Sequence, residues 1–386
     1  MIQVRGEGSS VLILTVPGDY HALAVEWAIR RKGVHAERVF LTDLPQRASL
    51  SVSVSDCARA MFSAGGKTIE LDGGMSLWLR RPGRAMLPSE MHRADRPVAR
   101  VDWEFAFDSF LRVADLICGF CVNPGEAYRA ASLKPFHLAV AKQCGLQVPP
   151  TLTSNDRANV LNFLLRNKAA GSGTIVKGFE TVAWELSAGA GASFSTIEII
   201  PQDIDEANIE LSPCIFQPKL EKRYEARVTV MGNTMVAAKL DSQANSETEL
   251  DFRLGADWSL LGCECIEIPN GVRESLQRFH RRLGLLYGTM DFIVDKKDNW
   301  IFLETNTMGN FLWMEEINPE IPLLDMMSEF LISRDASFEY AAGAEPVSLR
   351  QFEEEQGGEV SASLRSEVLQ HVLCDTAPIK ESDVTA

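Results

Sequence analysis

The stretch from Val11 to Leu41 restricts the fold more than any other part of the chain. Val11 to Val16 (VLILTV) is an apolar run of strand length. Asp19 to Arg31 follows with helical periodicity through Leu23, Val25, Trp27 and Ala28, and Gly33 closes it. Val34 to Leu41 returns to strand character. Strand, helix and strand joined by short connections make a β-α-β crossover, which pairs the strands in parallel and requires a covered sheet. The chain is therefore expected to be an α/β protein. Its 386 residues are enough for two or three domains with substantial cores.

Further elements follow in order. Leu50 to Val54, Gly65-Gly66 and Thr68 to Leu71 read as a hairpin, and Leu77 to Leu79 is a strand that stops at Arg80-Arg81-Pro82. An amphipathic helix is expected over Val98 to Ile117, with Val101, Phe105, Leu111 and Ala114 among its apolar positions. Asn123-Pro124-Gly125 breaks the chain. A second segment opens with a helix from about Tyr128 to Cys144, a capped helix to about Asn167 and a strand at Thr174 to Phe179. A third, strand-rich segment contains Cys214 to Gln217, Ala226 to Met231 and Met235 to Leu240, the last two joined at Gly232-Asn233. It continues with a helix at Gly271 to Leu286, strands at Tyr287 to Val294 and Trp300 to Glu304, and a helix at Leu323 to Leu331. From Ser337 on, large apolar residues are few and acidic runs appear. The tail is expected to be disordered or loosely docked, with one weak helix at Ser361 to Leu373, and dispensable for chemistry.

Composition narrows the function. Fifty-three acidic and 38 basic residues give a net charge of −15, which argues against nucleic acid or an anionic membrane as partner. No apolar run reaches the roughly 18 to 20 residues of a spanning helix, and the opening MIQVRGEGSS lacks a signal peptide's pattern, so a cytoplasmic protein is expected. The eight cysteines include a lone Cys118-Gly-Phe-Cys121 and a Cys263-Glu-Cys265, short of the paired spacings of a structural zinc site; no metal is assigned to them.

The sharpest cluster lies near the end of the third segment. Asp291 interrupts an apolar strand, and Glu304 and Asn306 alternate on the next one. With a turn near Lys297, Asp291 falls opposite about Leu303 or Glu304. Carboxylates in apolar surroundings need a compensating cation, and two carboxylates with an amide are hard oxygen ligands suited to magnesium. The competing interpretation is an ordinary hairpin with wet polar side chains. A second group is cationic: Lys134, Lys177 in Thr-Ile-Val-Lys-Gly-Phe, Arg227 and Lys239. Each alone reads as a surface charge; together, in so acidic a chain, they fit a phosphate pocket. The small-residue run Ser187 to Ser193 is no Walker A loop, since no Gly-Lys-Ser/Thr follows; it reads as a phosphate-approaching lid or a plain connection.

From Val11 to Leu331 the ordered motifs resemble those of ATP-grasp ligases, and more narrowly the graspetide maturases, the microviridin-type macrocyclases. The resemblance runs through Trp78-Leu-Arg-Arg-Pro82, Asn123-Pro124, Lys134-Pro135, Ile175-Val-Lys-Gly178, Phe216-Gln-Pro-Lys219 and Tyr224-Glu-Ala-Arg-Val-Thr-Val230. It continues through Asp251-Phe-Arg253, Tyr287-Gly-Thr-Met-Asp291 and Phe302-Leu-Glu-Thr-Asn306. The run Thr305 to Asn310 departs from it, since relatives more often show Asn-Pro and Gly-Gln there.

That resemblance implies an ATP-grasp fold: an N-terminal α/β pre-grasp domain (1–122), a central lid domain (123–210) and a C-terminal β-rich domain (211–336), followed by a flexible acidic tail (337–386). It implies ATP and two magnesium ions as cofactors, with Asp291, Glu304 and Asn306 as metal ligands. Lys134 and Lys177 would contact phosphates, Gln217, Pro218, Lys219 and Leu220 would line the adenine slot, and Glu225 would join the nucleotide site. Arg227, Arg253 and Lys239 are the expected catalytic cations, with Asp251 and Arg253 holding the acceptor carboxylate. The implied reaction activates an Asp or Glu side chain of a precursor peptide, with leader and core segments, as an acyl phosphate. A Thr or Ser hydroxyl or a Lys amine then attacks it, closing a macrocyclic ester or amide. A carboxylate–amine ligase acting on a small molecule or a protein terminus is the alternative, and a homodimer is an open expectation.

Overall fold

The computed structural model describes residues 2–3, 10–179, 183–185, 191–193, 196–205, 208–243 and 262–371. Its N-terminal part contains β1 (Ile2–Gln3), β2 (Ser10–Thr15), α1 (Tyr20–Arg31), β3 (His35–Phe40), β4 (Ala48–Val54), β5 (Ala58–Ala64), β6 (Lys67–Glu70), β7 (Met75–Leu79), α2 (Arg96–Ile117) and β8 (Phe120–Val122). The expected crossover is present: β2 pairs in parallel with β3 and β7, and β8 extends the sheet to the order β3-β2-β7-β8. Asp19 caps α1 by accepting the His21 and Ala22 N–H groups. The remaining strands form a second sheet, β1-β6-β5-β4. Its β5–β6 turn is Gly65-Gly66, both at positive φ, the two-residue hairpin geometry that glycine adopts without strain. The helix α2 lies over β5, but the buried side is Phe110, Leu111 and Ala114. Val101 and Phe105, counted with the apolar face from sequence, are 53% and 69% exposed, because Trp103 and Phe107 turn the other side inward.

Next come α3 (Gly125–Ser132) and α4 (Lys134–Gln143). They are two helices rather than the one expected. Leu133 leaves the helical region and Pro135 occupies the first turn of α4, where its missing N–H costs nothing. The middle part holds β9 (Leu152–Ser154), α5 (Arg157–Ala169), β10 (Thr174–Lys177), β11 (Ala183–Glu185), β12 (Gly191–Ser193), β13 (Ile197–Ile199) and β14 (Cys214–Pro218). The antiparallel order β13-β10-β14-β9 places β14 in this sheet, so the sheet closes at Pro218, beyond the expected boundary at residue 210.

The last part contains β15 (Tyr224–Met231), β16 (Thr234–Leu240), β17 (Glu264–Ile266), α6 (Asn270–Leu283), β18 (Tyr287–Val294), β19 (Trp300–Asn306), α7 (Leu312–Ile317), α8 (Leu323–Ser333), α9 (Leu349–Gln356) and α10 (Glu359–Gln370). Its strands form the antiparallel order β17-β16-β15-β18-β19. One face carries Val228, Met290, Phe292 and Phe302 into a core with α3, α4 and α6. The buried Asn123 side chain ties the end of β8 to β18, accepting from Leu286 and Tyr287 N–H and donating to Tyr287 O. Among the described residues no helix is long and apolar enough to cross a membrane.

The acidic tail corrects the sequence expectation. Phe338, Val347, Leu349 and Phe352 are buried in the same core as α1 and α8, and Phe352 packs edge-on against Tyr20 and Trp27. Asp325 of α8, fully buried, accepts from Lys32 Nζ at 2.7 Å, Val347 N–H at 2.9 Å and Tyr340 O–H at 2.8 Å. A few well-placed apolar groups anchor a segment whose average composition looks unfolded. Residues 372–386 lie outside the described residues.

Candidate active site

The five-stranded sheet positions most of the predicted residues. Arg227 stands opposite Asp291 on β18, and Asp291 opposite Glu304 on β19. Directly opposed residues of an antiparallel pair share a face, so all three project from the face away from α4 and α6. A bulge makes this work on β19. Asp291 pairs with Glu304 but Phe292 pairs with Phe302, leaving Leu303 as the extra residue. Strict alternation would have put Phe302 and Glu304 on one side. The bulge instead sends Phe302 into the core beside His137 and Phe279, and Glu304 with Asn306 to the opposite face.

There the polar groups interlock. Arg227 Nη1 donates to Asp291 Oδ1 at 2.5 Å, and Nη2 donates to Thr289 Oγ1 at 3.0 Å and Asn310 O at 3.1 Å. Asn306 Nδ2 donates to Asp291 Oδ2 at 3.2 Å. Lys134 Nζ lies 3.7 Å from Glu304 Oε2. Glu225, two residues before Arg227 and on its face, pairs with Lys222 at 2.6 Å; burial still raises its carboxyl above the usual range. The cations thus neutralise the carboxylates. The donor set of two carboxylates and one amide fits magnesium, although among the described residues no group of three His, Cys, Asp or Glu forms a ready metal site.

The middle sheet supplies a second wall. Lys177 faces the same side of it as Gln217, since Lys177 pairs with Ile215 and Ile175 with Gln217. The other side, with Val176 and Phe216, packs on α5. Gln217 is buried and donates to Thr151 Oγ1 at 2.9 Å. Pro218, Lys219 and Leu220 form the crossing from β14 toward β15; the Lys219 side chain turns to Glu198 at 2.9 Å, and its N–H donates to Gly173 O. The two walls meet at His137. Burial lowers its pKa, and Glu304, Lys177 and Lys134 all act on it electrostatically.

Lys239 does not join this group. It pairs with Ala226, while Arg227 pairs with Ala238, so it projects from the opposite face. There it lies over the Tyr224 ring and 3.1 Å from Glu264. Alternation from Arg227 through the Gly232-Asn233 turn fixes that parity, and the expectation of a catalytic Lys239 is withdrawn. Asp251 and Arg253 lie outside the described residues, as does most of Ser187 to Ser193; Gly191–Ser193 forms β12, paired with β11.

Sequence reasoning missed the support behind Arg227. Arg80, fully buried, sits 3.2 Å from Asp19 and donates to the carbonyls of Met308 and Gly309 and to Asn310 Oδ1 at 2.5 Å. Burial by itself would raise the Asp19 pKa, but Arg80, with His21, Arg81 and the Thr15 hydroxyl in smaller measure, together outweigh it and keep the carboxyl low. Gly309 packs so closely that a Cβ there would stand 1.9 Å from Thr289 Oγ1. The available signal was a charged doublet, Arg80-Arg81, at the end of an apolar strand.

A middle sheet carrying Lys177 and Gln217 on one side and a five-stranded sheet carrying Arg227, Asp291 and Glu304 on one face, with Lys134 beside Glu304, have the layout of the ATP-grasp fold, and comparison with solved structures agrees. No protein-family model and no curated protein matches the chain. It is similar to the RiPP-associated ATP-grasp ligase of Chryseobacterium gregarium, solved with ADP and a leader and core peptide, at a TM-score of 0.74 and 21% identity over 85% of this chain and 97% of that one. It is also similar to macrocyclase MdnC of Microcystis aeruginosa MRC, bound with precursor peptide MdnA, at 0.72 and 25% identity over 84% and 99%. The ATP-grasp ligase PsnB, complexed with minimal precursor, Mg and ADP, gives 0.61 and 20% over 84% and 97%.

Proposed function

We propose that this protein is an ATP-dependent peptide ligase that joins an Asp or Glu side chain of a precursor peptide to a hydroxyl or amine of the same peptide, closing an ester or amide ring. The observation that carries this reading is the convergence of Arg227, Asp291, Glu304 and Asn306 on one sheet face, with Lys134 and Lys177 reaching Glu304's surroundings. The likeness to ligases solved with precursor peptides, covering most of both chains, supports it.

ATP with magnesium supplies the γ-phosphoryl group that turns the substrate carboxylate into an acylating agent. Asp291, Glu304 and Asn306 hold the metal, and Lys134 and Lys177 offset phosphate charge. Gln217 to Leu220 form the adenine slot between the sheets. Arg227, fixed by Asp291, Thr289 and Asn310 O, presents its fork to the reacting centre, a preorganised charge that needs no rearrangement during transfer. Arg253 keeps its sequence-based assignment to the acceptor carboxylate. The small-residue run Ser187 to Ser193 keeps its sequence-based assignment as the lid that excludes water from the activated acyl group. A cytoplasmic location belongs to the same reading.

The test is to incubate the protein with ATP, Mg2+ and synthetic precursor-type peptides whose cores are rich in Thr, Ser, Lys, Asp and Glu, reading ADP by coupled assay and the peptide by mass spectrometry. Loss of one water per link with matching ADP is expected. ADP without peptide dehydration, or neither product, would refute the reading.

A further inference from the structure

The loop that supports Arg227 also holds an exposed cation, Arg81, which feels the Asp19 carboxylate only from beyond ion-pair distance. Asn310 accepts at Oδ1 from two consecutive arginines, Arg80 at 2.5 Å and Arg81 at 3.1 Å, and its carbonyl accepts from Arg227 at 3.1 Å. Two of these charges are met: Arg80 by Asp19 and Arg227 by Asp291. Arg81 is exposed, and among the described residues no carboxylate lies within ion-pair distance of it. Asn310 is its polar contact.

Its position is that of a ligand-binding residue. Arg81 follows β7 at the carboxyl end of a parallel strand, where ligands of open α/β sheets gather. Pro82 biases it to an extended conformation, and Arg80 anchors the preceding residue. The two cationic groups of the cleft are separate. Lys134, Lys177 and Glu304 act on His137, whereas Arg80, Arg81 and Arg227 act on His21. Burial, with Arg80 next, lowers His21 to a pKa of about 3, so it stays neutral and the second group keeps its positive excess at neutral pH.

We infer that Arg81, steadied by the Asn310 amide, is a carboxylate-binding subsite that takes an acidic side chain of the peptide substrate beside the reacting centre. The planar guanidinium offers parallel donors to a carboxylate, and its contact with a neutral amide leaves other donors free. The inference rests on the peptide-ligase reading and adds to it a residue that selects acidic sequence around the acceptor.

Binding and turnover are read separately. Wild type and Arg81→Ala are titrated, with AMPPNP present, against a synthetic precursor-type peptide with an Asp- and Glu-rich core and against its form with Asp and Glu replaced by Asn and Gln. Wild type should bind the acidic form about tenfold more tightly than the amide form, the size of one charge-assisted contact. Arg81→Ala should lose most of that preference, keeping only what Arg253 contributes at the acceptor, with AMPPNP affinity unchanged, and Arg81→Lys should recover part of the difference. Asn310→Asp should fill the subsite with an internal carboxylate, lowering peptide processing while the melting temperature holds or rises. Equal discrimination by wild type and Arg81→Ala overturns the subsite, as does a parallel loss of AMPPNP affinity, which would make Arg81 a phosphate ligand. Wild type that prefers the acidic peptide yet forms no ADP would refute the ligase reading and leave the subsite standing.

Discussion

Asp291 and Glu304 face one cleft but stand in different electrostatic settings. Asp291 is the counter-ion of Arg227, and both side chains are almost fully buried. Glu304 lies 3.7 Å from Lys134, whose side chain is a quarter exposed. Glu304→Gln should therefore abolish ADP formation while leaving the urea midpoint nearly unchanged. Asp291→Asn should abolish activity and also destabilise by about 3 kcal/mol, the cost of leaving one buried charge unpaired. Chemical denaturation beside an ADP assay separates the two; equal stability losses would mean that the carboxylates play equivalent structural roles.

At the scale of elements, α9 is part of the core, while α10 buries no residue. Phe352 of α9 is fully buried between Tyr20 and Trp27 of α1, so Phe352→Ala should cost about 3 to 5 kcal/mol. A thermal melt close to that of wild type would return α9 to the status of a loose tail. The junction is also pH-sensitive. Glu315 of α7 accepts from Leu324 N–H and Leu349 N–H, both at 2.7 Å, binding α7 to α8 and α9. Burial nevertheless lifts its pKa to about 7 from the 4.5 of an ordinary glutamate. Between those values the folded chain binds more protons at this group than the unfolded chain, so its contribution falls as pH rises through that window. Above about 7 the loss is complete. Buried His280, held down to about 4 by desolvation, acts with the opposite sign, its contribution falling as pH drops below 6.5. Comparing wild type with Glu315→Gln cancels the histidines: the difference in urea midpoint should change between pH 5 and pH 7 in the variant's favour. A pH-independent difference would show that Glu315 does not titrate in this range.

At the scale of the whole molecule, the N-terminal sheet and the Arg227 face of the five-stranded sheet are joined by one polar chain, from Thr15 and Asp19 through Arg80 to residues 308–310 and then Arg227. Arg80→Met should destabilise by about 3 to 5 kcal/mol, because it strands Asp19. Adding Asp19→Leu should recover much of that stability by removing the stranded charge, yet ADP formation should stay low, because the loop that orients Arg227 has lost its anchor. Recovery of activity along with stability in the double variant would show that Arg80 serves folding alone.

What the sequence determined by itself is local. The β2-α1-β3 crossover, the Gly65-Gly66 and Gly232-Asn233 turns and the placing of Asp291 opposite residue 303 or 304 follow from periods and turn residues spanning a few positions. The metal-type donor set was legible for the same reason: carboxylates stand out in apolar strands. The tertiary structure decided the rest. One extra residue at Leu303 settles which face Glu304 and Phe302 take, and the parity across a hairpin puts Lys239 behind the sheet. Arg80, Asp19 and Asn310 come from distant segments, so no spacing announces them. The 338–371 segment looked unfolded because composition averages over its length. Its order comes from a few contacts, Phe352 on α1 and backbone N–H groups on Glu315 and Asp325, made only once the rest has folded. Sequence periodicity reports how a segment can turn a face. Which partner meets that face is a property of the assembled core.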